Sequence, residues 1–426
     1  MELLRFATAG SVDDGKSTLI GRLLFDTKSI LEDQLASIER TTERRGTASG
    51  KDGLDLSLLT DGLTAEREQG ITIDVAYRYF TTARRRFIIA DTPGHEQYTR
   101  NMVTGASTAD LSIILVDAGK GLQTQSRRHA IIAALLGIPH VVLAVNKMDL
   151  VDYSQDVFAS IRDAFASFCR TLGFARIDFI PLSALEGDMV VTRGTRLGWY
   201  AGPTLLELLE TTPAPGRVTG ALRFPVQLVS RARLAPGGLD RAEYRGYMGR
   251  IESGTVNVGD RIVALPSGIE AEVADIVTFG GSVASAAAPQ SVTLLLDRQI
   301  DVSRGDLFAR SDARPAVVRD FTAHLAWFAA APLEPGRRYL IKHATQTVRA
   351  VIDAIDYRLD VNTLERETGV SEFALNDIGR VRIKTARPLP VDPYADNRTT
   401  GSFILIDESS NQTVAGGMIL SESGDA

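Results

Sequence analysis

Apolar residues in the first half of the chain fall into two alternating patterns. Short, mostly continuous apolar runs at Leu3 to Ala9, Phe87 to Ala90, Leu111 to Val116, Val141 to Val145 and Asp178 to Ile180 lack the polar alternation of a half-exposed strand, which predicts strands buried on both faces. Between them lie stretches with apolar side chains every three or four positions. The clearest, Asp156 to Thr171, sets Val157, Ile161, Phe165, Phe168 and Leu172 on one stripe and predicts an amphipathic helix that packs Cys169 into the core. The alternation predicts an α/β domain over residues 1–212, a mainly parallel sheet with helices on both faces.

The pattern changes at Thr211 to Gly216, TTPAPG, whose two prolines and glycine predict a linker. Beyond it the helical period vanishes. Short runs at Phe224 to Val229, Arg261 to Leu265, Glu272 to Val277 and Val292 to Leu296 sit between Gly and Pro clusters, the spacing of a small β-barrel over residues 217–312. Arg314 and Pro315 punctuate the chain again. Further runs at Phe321 to Phe328, Tyr339 to His343, Ala350 to Tyr357, Val381 to Thr385 and Phe403 to Ile406 predict a second barrel over 316–421. Ala284 to Ala288 reads as an Ala-rich loop, and residues 422–426 as a frayed tail.

Composition narrows the class without naming a function. The chain has 426 residues, 44% hydrophobic and 23% charged, so disorder, collagen-like repeats and disulfide scaffolds are poor descriptions. Its formal charge of −6, from 47 Lys+Arg against 53 Asp+Glu, leaves no overall electrostatic footprint for nucleic acid or an anionic membrane. The single cysteine, Cys169, cannot form an intramolecular disulfide. No run reaches the roughly 18 apolar residues of a membrane span, and Glu2 and Arg5 interrupt any signal-peptide core, so the cytoplasm is the expected compartment.

Chemistry enters where the apolar runs end. The first run leads into Gly10-Ser11-Val12-Asp13-Asp14-Gly15-Lys16-Ser17-Thr18, which fits G-x-x-x-x-G-K-[ST] between a strand and a helix through Leu23 and Leu24. Its glycines let backbone N–H groups converge on a β-phosphate, Lys16 neutralises phosphate oxygens, and the Ser17 hydroxyl is a hard ligand suited to Mg²⁺. Asp91-Thr92-Pro93-Gly94 ends a second run, where Asp91 can hold Mg²⁺ through a water and the Gly94 N–H can reach a γ-phosphate. Gly70-Ile71-Thr72 lies between these motifs, and the Thr72 hydroxyl can complete the metal shell when a γ-phosphate is present. Asn146-Lys147-Met148-Asp149 caps a third run. Asp149 can accept hydrogen bonds from the N1–H and 2-amino groups of guanine, which adenine lacks, and this specifies GTP and GDP. Ser183-Ala184-Leu185 ends the last run and can bring backbone N–H groups to the guanine O6.

These five elements, in this order, resemble the P-loop GTPases, and the histidine after Asp91-Thr92-Pro93-Gly94 narrows the resemblance to the translation-factor class. That resemblance implies that His95 orients the attacking water, with Lys16, Thr72 and Gly94 as its catalytic companions and Val12 and Ile71 gating its access. The charged stretch Glu32 to Arg45 predicts a helical insertion with a solvated face. The wording of Ser11 to Leu23, Ala65 to Tyr79, Asp91 to Met102 and Asp396 to Asp407 looks like the large, GTPase subunit of bacterial sulfate adenylyltransferase, over essentially the whole chain. This implies an elongation-factor-like fold, a GTPase domain followed by two all-β barrels. It also implies that GTP hydrolysis drives a separate small catalytic subunit, which handles ATP and sulfate and makes adenosine 5′-phosphosulfate and pyrophosphate, a nucleotidyltransferase reaction of sulfate assimilation. Some relatives carry an adenylylsulfate kinase domain with its own P-loop; no second such motif occurs here, and kinase activity is not expected.

The alternative is an elongation factor that delivers aminoacyl-tRNA, which shares every guanine-nucleotide motif. An RNA carrier is expected to show a basic stripe, whereas Arg84 to Arg86, Arg127-Arg128 and Arg337-Arg338 are short and scattered. No nucleic-acid or membrane partner is therefore expected.

Overall fold

The computed structural model describes residues 2–30, 32–45, 53–59, 72, 74–213, 220–230 and 245–421. The chain forms two compact units, Met1–Pro215 with Val361–Leu364, and Gly216–Asp360 with Glu365–Ala426. The candidate linker is described only as far as Pro213, and Gly70, Ile71 and the tail 422–426 lie outside the described residues.

In the first unit β1 (Leu3–Gly10), β2 (Ala76–Thr81), β3 (Arg86–Asp91), β4 (Leu111–Asp117), β5 (His140–Asn146) and β6 (Arg176–Pro181) form one sheet in the order β2-β3-β1-β4-β5-β6. All pairings are parallel except β2 with β3. Every residue of β4 and β5 is buried, which accounts for runs that are apolar apart from Ser112. The edge strand β2 was not foreseen.

Among the described residues this unit also holds the α-helices α1 (Lys16–Asp26), α2 (Glu32–Arg45), α3 (Thr99–Ala106), α4 (Thr124–Leu135), α5 (Gln155–Cys169) and α6 (Leu205–Thr211). The charged stretch expected to be a helical insertion is α2. In α5 the Ser154 hydroxyl caps the first turn by accepting the Val157 N–H. Its buried stripe is Phe158, Ile161, Phe165 and Cys169: Ile161 and Phe165 are buried as expected, while Phe158 and Cys169 take the inward places expected for Val157 and Phe168, which are half-buried. Helix α6 opens with a reciprocal capping box between Thr204 and Glu207. Its last turn is held by the buried Arg85 guanidinium, which donates to the carbonyls of Leu209 and Thr212 and pairs with Glu2 at 2.6 Å.

The second unit holds two barrels. The first comprises β7 (Arg223–Ser230), β8 (Gly246–Arg250), β9 (Thr255–Asn257), β10 (Arg261–Leu265), β11 (Ile269–Thr278), β12 (Gly281–Val283), β13 (Ser285–Ala287), β14 (Ser291–Leu296) and β15 (Leu307–Arg310). Its main sheet runs β10-β15-β7-β8-β14-β11-β12 and closes through β10 with β11, around a core that includes Phe224, Tyr247 and Phe308. The Ala-rich segment expected to be a loop contains β13, because pairing with β9 satisfies its backbone whatever its side chains.

The second barrel comprises β16 (Ala316–Trp327), β17 (Arg338–His343), β18 (Gln346–Leu359), β19 (Arg366–Glu367), β20 (Ile378–Val391), β21 (Ser402–Ile406) and β22 (Thr413–Ile419). It runs β17-β21-β22-β16-β20-β18-β19 and closes through β17 with β18. Buried Trp327 and Tyr339 cross edge-to-face at 5.8 Å in its core. The sequence motif Asp396 to Asp407 joins the two barrels. Asn397 accepts the Thr399 and Thr400 N–H groups and donates to Ser253, while Thr400 donates to Asp392, which binds the buried Arg223 guanidinium through both oxygens at 2.7 and 2.8 Å. That motif is a structural joint.

Candidate nucleotide site

The site lies beyond the carboxyl ends of the parallel strands, where an open α/β sheet binds ligands. β1 ends at Gly10 and β3 at Asp91, while β5 ends at Asn146 and Ser183 follows β6 two residues later. Ser11, Val12, Asp13, Gly15, Lys16, Ser17, Thr18, Ser57, Thr72, Gly94, His95 and Lys147 line one cleft of about 380 Å³. Sequence-distant candidates thus share one concavity.

The P-loop turns on Asp13 (φ 68°) and Gly15 (φ 86°), both in the left-handed region. A Cβ on Gly15 would stand 2.4 Å from the Asn146 Nδ2, so this position needs glycine. The loop closes on itself when Asp14 accepts the Ser11 N–H at 2.7 Å. Burial is the largest influence on Asp14 and pushes its carboxyl up to about 6.

Lys16 lies at the centre. Its Nζ pairs with Asp91 Oδ1 and donates to Thr72 Oγ1 at 2.9 Å, and Lys16 and Asp91 are both buried. The second Asp91 oxygen, Oδ2, is buried and without a hydrogen-bond partner among the described residues. A carboxylate oxygen left in this state is costly unless something cationic meets it. With the hydroxyls of Ser17 and Thr72 beside the same cleft, the donor set fits Mg²⁺, a hard cation that takes oxygen ligands. Thr92 is fully buried and ties β3 to β1, its hydroxyl donating to the Thr8 carbonyl at 2.7 Å.

The base-side loops are braced from below. Asn146 donates to the Asp14 carbonyl at 2.7 Å and accepts the Ala184 N–H at 2.9 Å, so one buried amide couples the P-loop to the Ser183 to Leu185 loop. The Ser183 hydroxyl donates to Asp149 at 2.5 Å, fixing that carboxylate, and Met148 is buried beneath it. Lys147, at φ 60°, bonds Asp117 at 2.9 Å. Burial opposes ionisation of Asp117, but hydrogen bonds from Lys147 and the Gly119 N–H outweigh it and hold the carboxyl below its ordinary range.

Sequence reasoning missed Arg22. This α1 side chain is 3% exposed and donates to the Ala184 carbonyl at 3.2 Å and the Leu185 carbonyl at 2.7 Å, so it holds the loop from the P-loop helix. An arginine between Leu19, Ile20, Leu23 and Leu24, on a helix about to be buried, was the available signal.

His95 follows Gly94 at the mouth of the cleft with an exposed ring, edge-on to Tyr98 at 6.3 Å. A Cβ on Gly94 would stand 2.3 Å from the Gly10 carbonyl oxygen, so only glycine lets the His95 loop lie against the P-loop. Val12 beside it is 36% exposed.

The family profile described as "Elongation factor Tu GTP binding domain" matches residues 1–214, and "GTP-eEF1A C-terminal domain-like" matches 320–420. Fold and site therefore define a GTPase of the elongation-factor class. The chain is 55% identical over 427 residues to "Sulfate adenylyltransferase subunit 1" of Chromobacterium violaceum, covering 100% of this chain and 87% of that one. It is 53% identical over 419 residues to the protein of the same name from Salmonella typhimurium, covering 98% and 85%. Against "Bifunctional enzyme CysN/CysC" of Mycobacterium tuberculosis it is 54% identical over 420 residues, covering 98% and 67%. The chain belongs to the sulfate adenylyltransferase subunit 1 family.

Proposed function

We propose that this chain is the GTP-hydrolysing subunit of a heteromeric sulfate adenylyltransferase. On this reading, hydrolysis here drives a small catalytic subunit that forms adenosine 5′-phosphosulfate and pyrophosphate from ATP and sulfate. The coupling is needed because the phosphosulfate anhydride is high in energy and its formation lies far uphill alone. The observation that carries the reading is the convergence of Lys16, Thr72 and Asp91 under His95, on a chain 55% identical to a named subunit 1. No helix among the described residues is long and apolar enough to cross a membrane, and the cytoplasm is the proposed compartment.

In the proposed hydrolysis, a triphosphate entering the cleft draws Lys16 from Asp91 to the β- and γ-oxygens, and backbone N–H groups of residues 13–18 receive the remaining charge. Ser17, Thr72 and Asp91 would hold Mg²⁺, which would supply positive charge against the β- and γ-phosphates. His95 orients a water towards the γ-phosphorus, with the Gly94 N–H on a γ-oxygen. The bond from the γ-phosphorus to the bridging oxygen breaks, leaving GDP and phosphate. Val12 and Ile71 screen the water and Asp149 reads the guanine edge; of the Ser183 to Leu185 loop, Leu185 offers its N–H to the guanine O6, the Ala184 N–H being held by Asn146.

The test uses the purified chain alone and mixed with the small subunit of sulfate adenylyltransferase. The chain alone is expected to hydrolyse GTP and to release no pyrophosphate from ATP and sulfate; the mixture is expected to do both. Tight, salt-sensitive tRNA binding in the GTP state, with no response to the small subunit, would instead support aminoacyl-tRNA delivery.

A further inference from the structure

The two residues flanking His95 are both tied to one helix. The Gly94 carbonyl accepts from the Gln125 amide at 3.4 Å, and the Glu96 carboxylate accepts from Arg128 at 2.7 Å. Both partners stand in the first turns of α4, which packs on β1 and β4. Arg128 also donates to the Gln125 side-chain oxygen at 2.5 Å. This contact fixes the amide orientation, because the end that accepts from a guanidinium must be the oxygen.

Gln125 therefore turns its nitrogen, a donor only, towards His129 Nε2 at 3.0 Å, and this ring atom must accept. His129 is 1% exposed; burial first, then the charges of Arg128 and Lys16, pull it down to about 3, so its ring is neutral. Both amide hydrogens and the amide oxygen of Gln125 are thus committed, and the buried ring is its buttress. On its other side Gly94 presses against Gly10, with no room for a Cβ. His95 projects from a peptide gripped by the P-loop on one side and α4 on the other.

We propose that Gln125 and Arg128, backed by His129, are positioning residues that clamp the peptides on either side of His95 and so hold its imidazole where it orients the attacking water. This rests on the reading of His95 as the water-orienting residue. None of the three side chains needs to touch nucleotide. Nucleotide affinity, set by the P-loop and the base loops, is separate from the clamp, and the chemical step is where its loss appears, because small errors in placement of a reacting group cost rate.

The test is single-turnover GTP hydrolysis beside GDP and GTP affinity, in folded variants with matched melting temperatures. Gln125→Glu keeps the shape but removes both donors and sets a carboxylate against the Gly94 carbonyl. It is expected to slow hydrolysis by about tenfold to a hundredfold with affinities unchanged within about threefold. Arg128→Ala is expected to act in the same direction, with part of the rate restored by Arg128→Lys. On a His95→Ala background neither change is expected to slow hydrolysis further, since the clamp then has nothing to position. Unchanged rates in the single variants, or equal losses with and without His95, overturn the inference. If His95→Ala itself leaves hydrolysis intact, the reading of His95 falls and this inference falls with it.

Discussion

Arg22 offers a way to loosen the guanine side of the site without touching a nucleotide contact. It is buried on α1, and its guanidinium binds the carbonyls of Ala184 and Leu185, in the loop proposed to lie against the base. A hydrogen bond from a charged donor contributes about 1.5–3 kcal/mol, and two such bonds are lost in Arg22→Ala. Part of that loss is recovered as the freed loop swings to water. What remains falls on binding, because guanine must then reorder the loop. About 1.5–3 kcal/mol on binding corresponds to roughly 10- to 150-fold weaker GTP and GDP. The triphosphate contacts of Lys16 and the P-loop are separate, so weak ATP binding is expected to change by about twofold or less. Competition of GTP, GDP and ATP against a fluorescent guanine nucleotide measures both. Arg22→Lys should resemble Arg22→Ala, since one ammonium does not span two carbonyls as a planar fork does. A folded Arg22→Ala protein with unchanged GTP affinity and an unchanged GTP-to-ATP preference would refute the bracing role.

Three further outcomes follow from other parts of the molecule. Asp91→Asn removes the charge that meets Lys16 and the buried Oδ2, and titration of hydrolysis against Mg²⁺ should show a requirement at least about tenfold higher. Asp14 titrates near 6 in the folded chain against 3.8 ordinarily, so its protonated form is favoured by folding. The stability this gives is full below pH 3.8 and is lost as pH rises through about 6, by roughly 3 kcal/mol at most, and Asp14→Asn should flatten melting temperature against pH across that window. Arg223→Ala leaves Asp392 buried without its partner and should destabilise the two-barrel unit by about 3–5 kcal/mol in chemical denaturation, with GTP hydrolysis by the first unit retained.

Legibility in the sequence followed burial and contiguity. Strands β1, β3, β4 and β5 are parallel and mostly enclosed, so their runs are apolar apart from single residues such as Arg5, Thr8 and Ser112. Strand β2 escaped because it is antiparallel and at an edge, with Tyr77 and Tyr79 44% and 68% exposed around Arg78. β8 and β22 escaped because glycine hides a strand pattern. A Cβ on Gly249 would stand 2.5 Å from the Pro225 carbonyl, and one on Gly417 2.1 Å from the Phe403 ring, so close packing put the glycines there. The nucleotide motifs were visible as contiguous strings whose spacing is set by local backbone. Arg22, Gln125 and Arg128 were not, because each acts on a loop distant in sequence that only the folded sheet brings alongside, and His129 was not, because its part is to back Gln125.

Hydrolysis at His95 is proposed to supply the energy for adenylylation on the partner subunit. The direct measurement is adenosine 5′-phosphosulfate accumulated by the reconstituted heteromer, with GTP and either the natural chain or His95→Ala. With the natural chain, product is expected to rise past its uncoupled equilibrium in proportion to GTP hydrolysed; with His95→Ala it should stop at that equilibrium. Accumulation past equilibrium by the His95→Ala heteromer, without GTP hydrolysis, would show that hydrolysis at His95 is not the energy source.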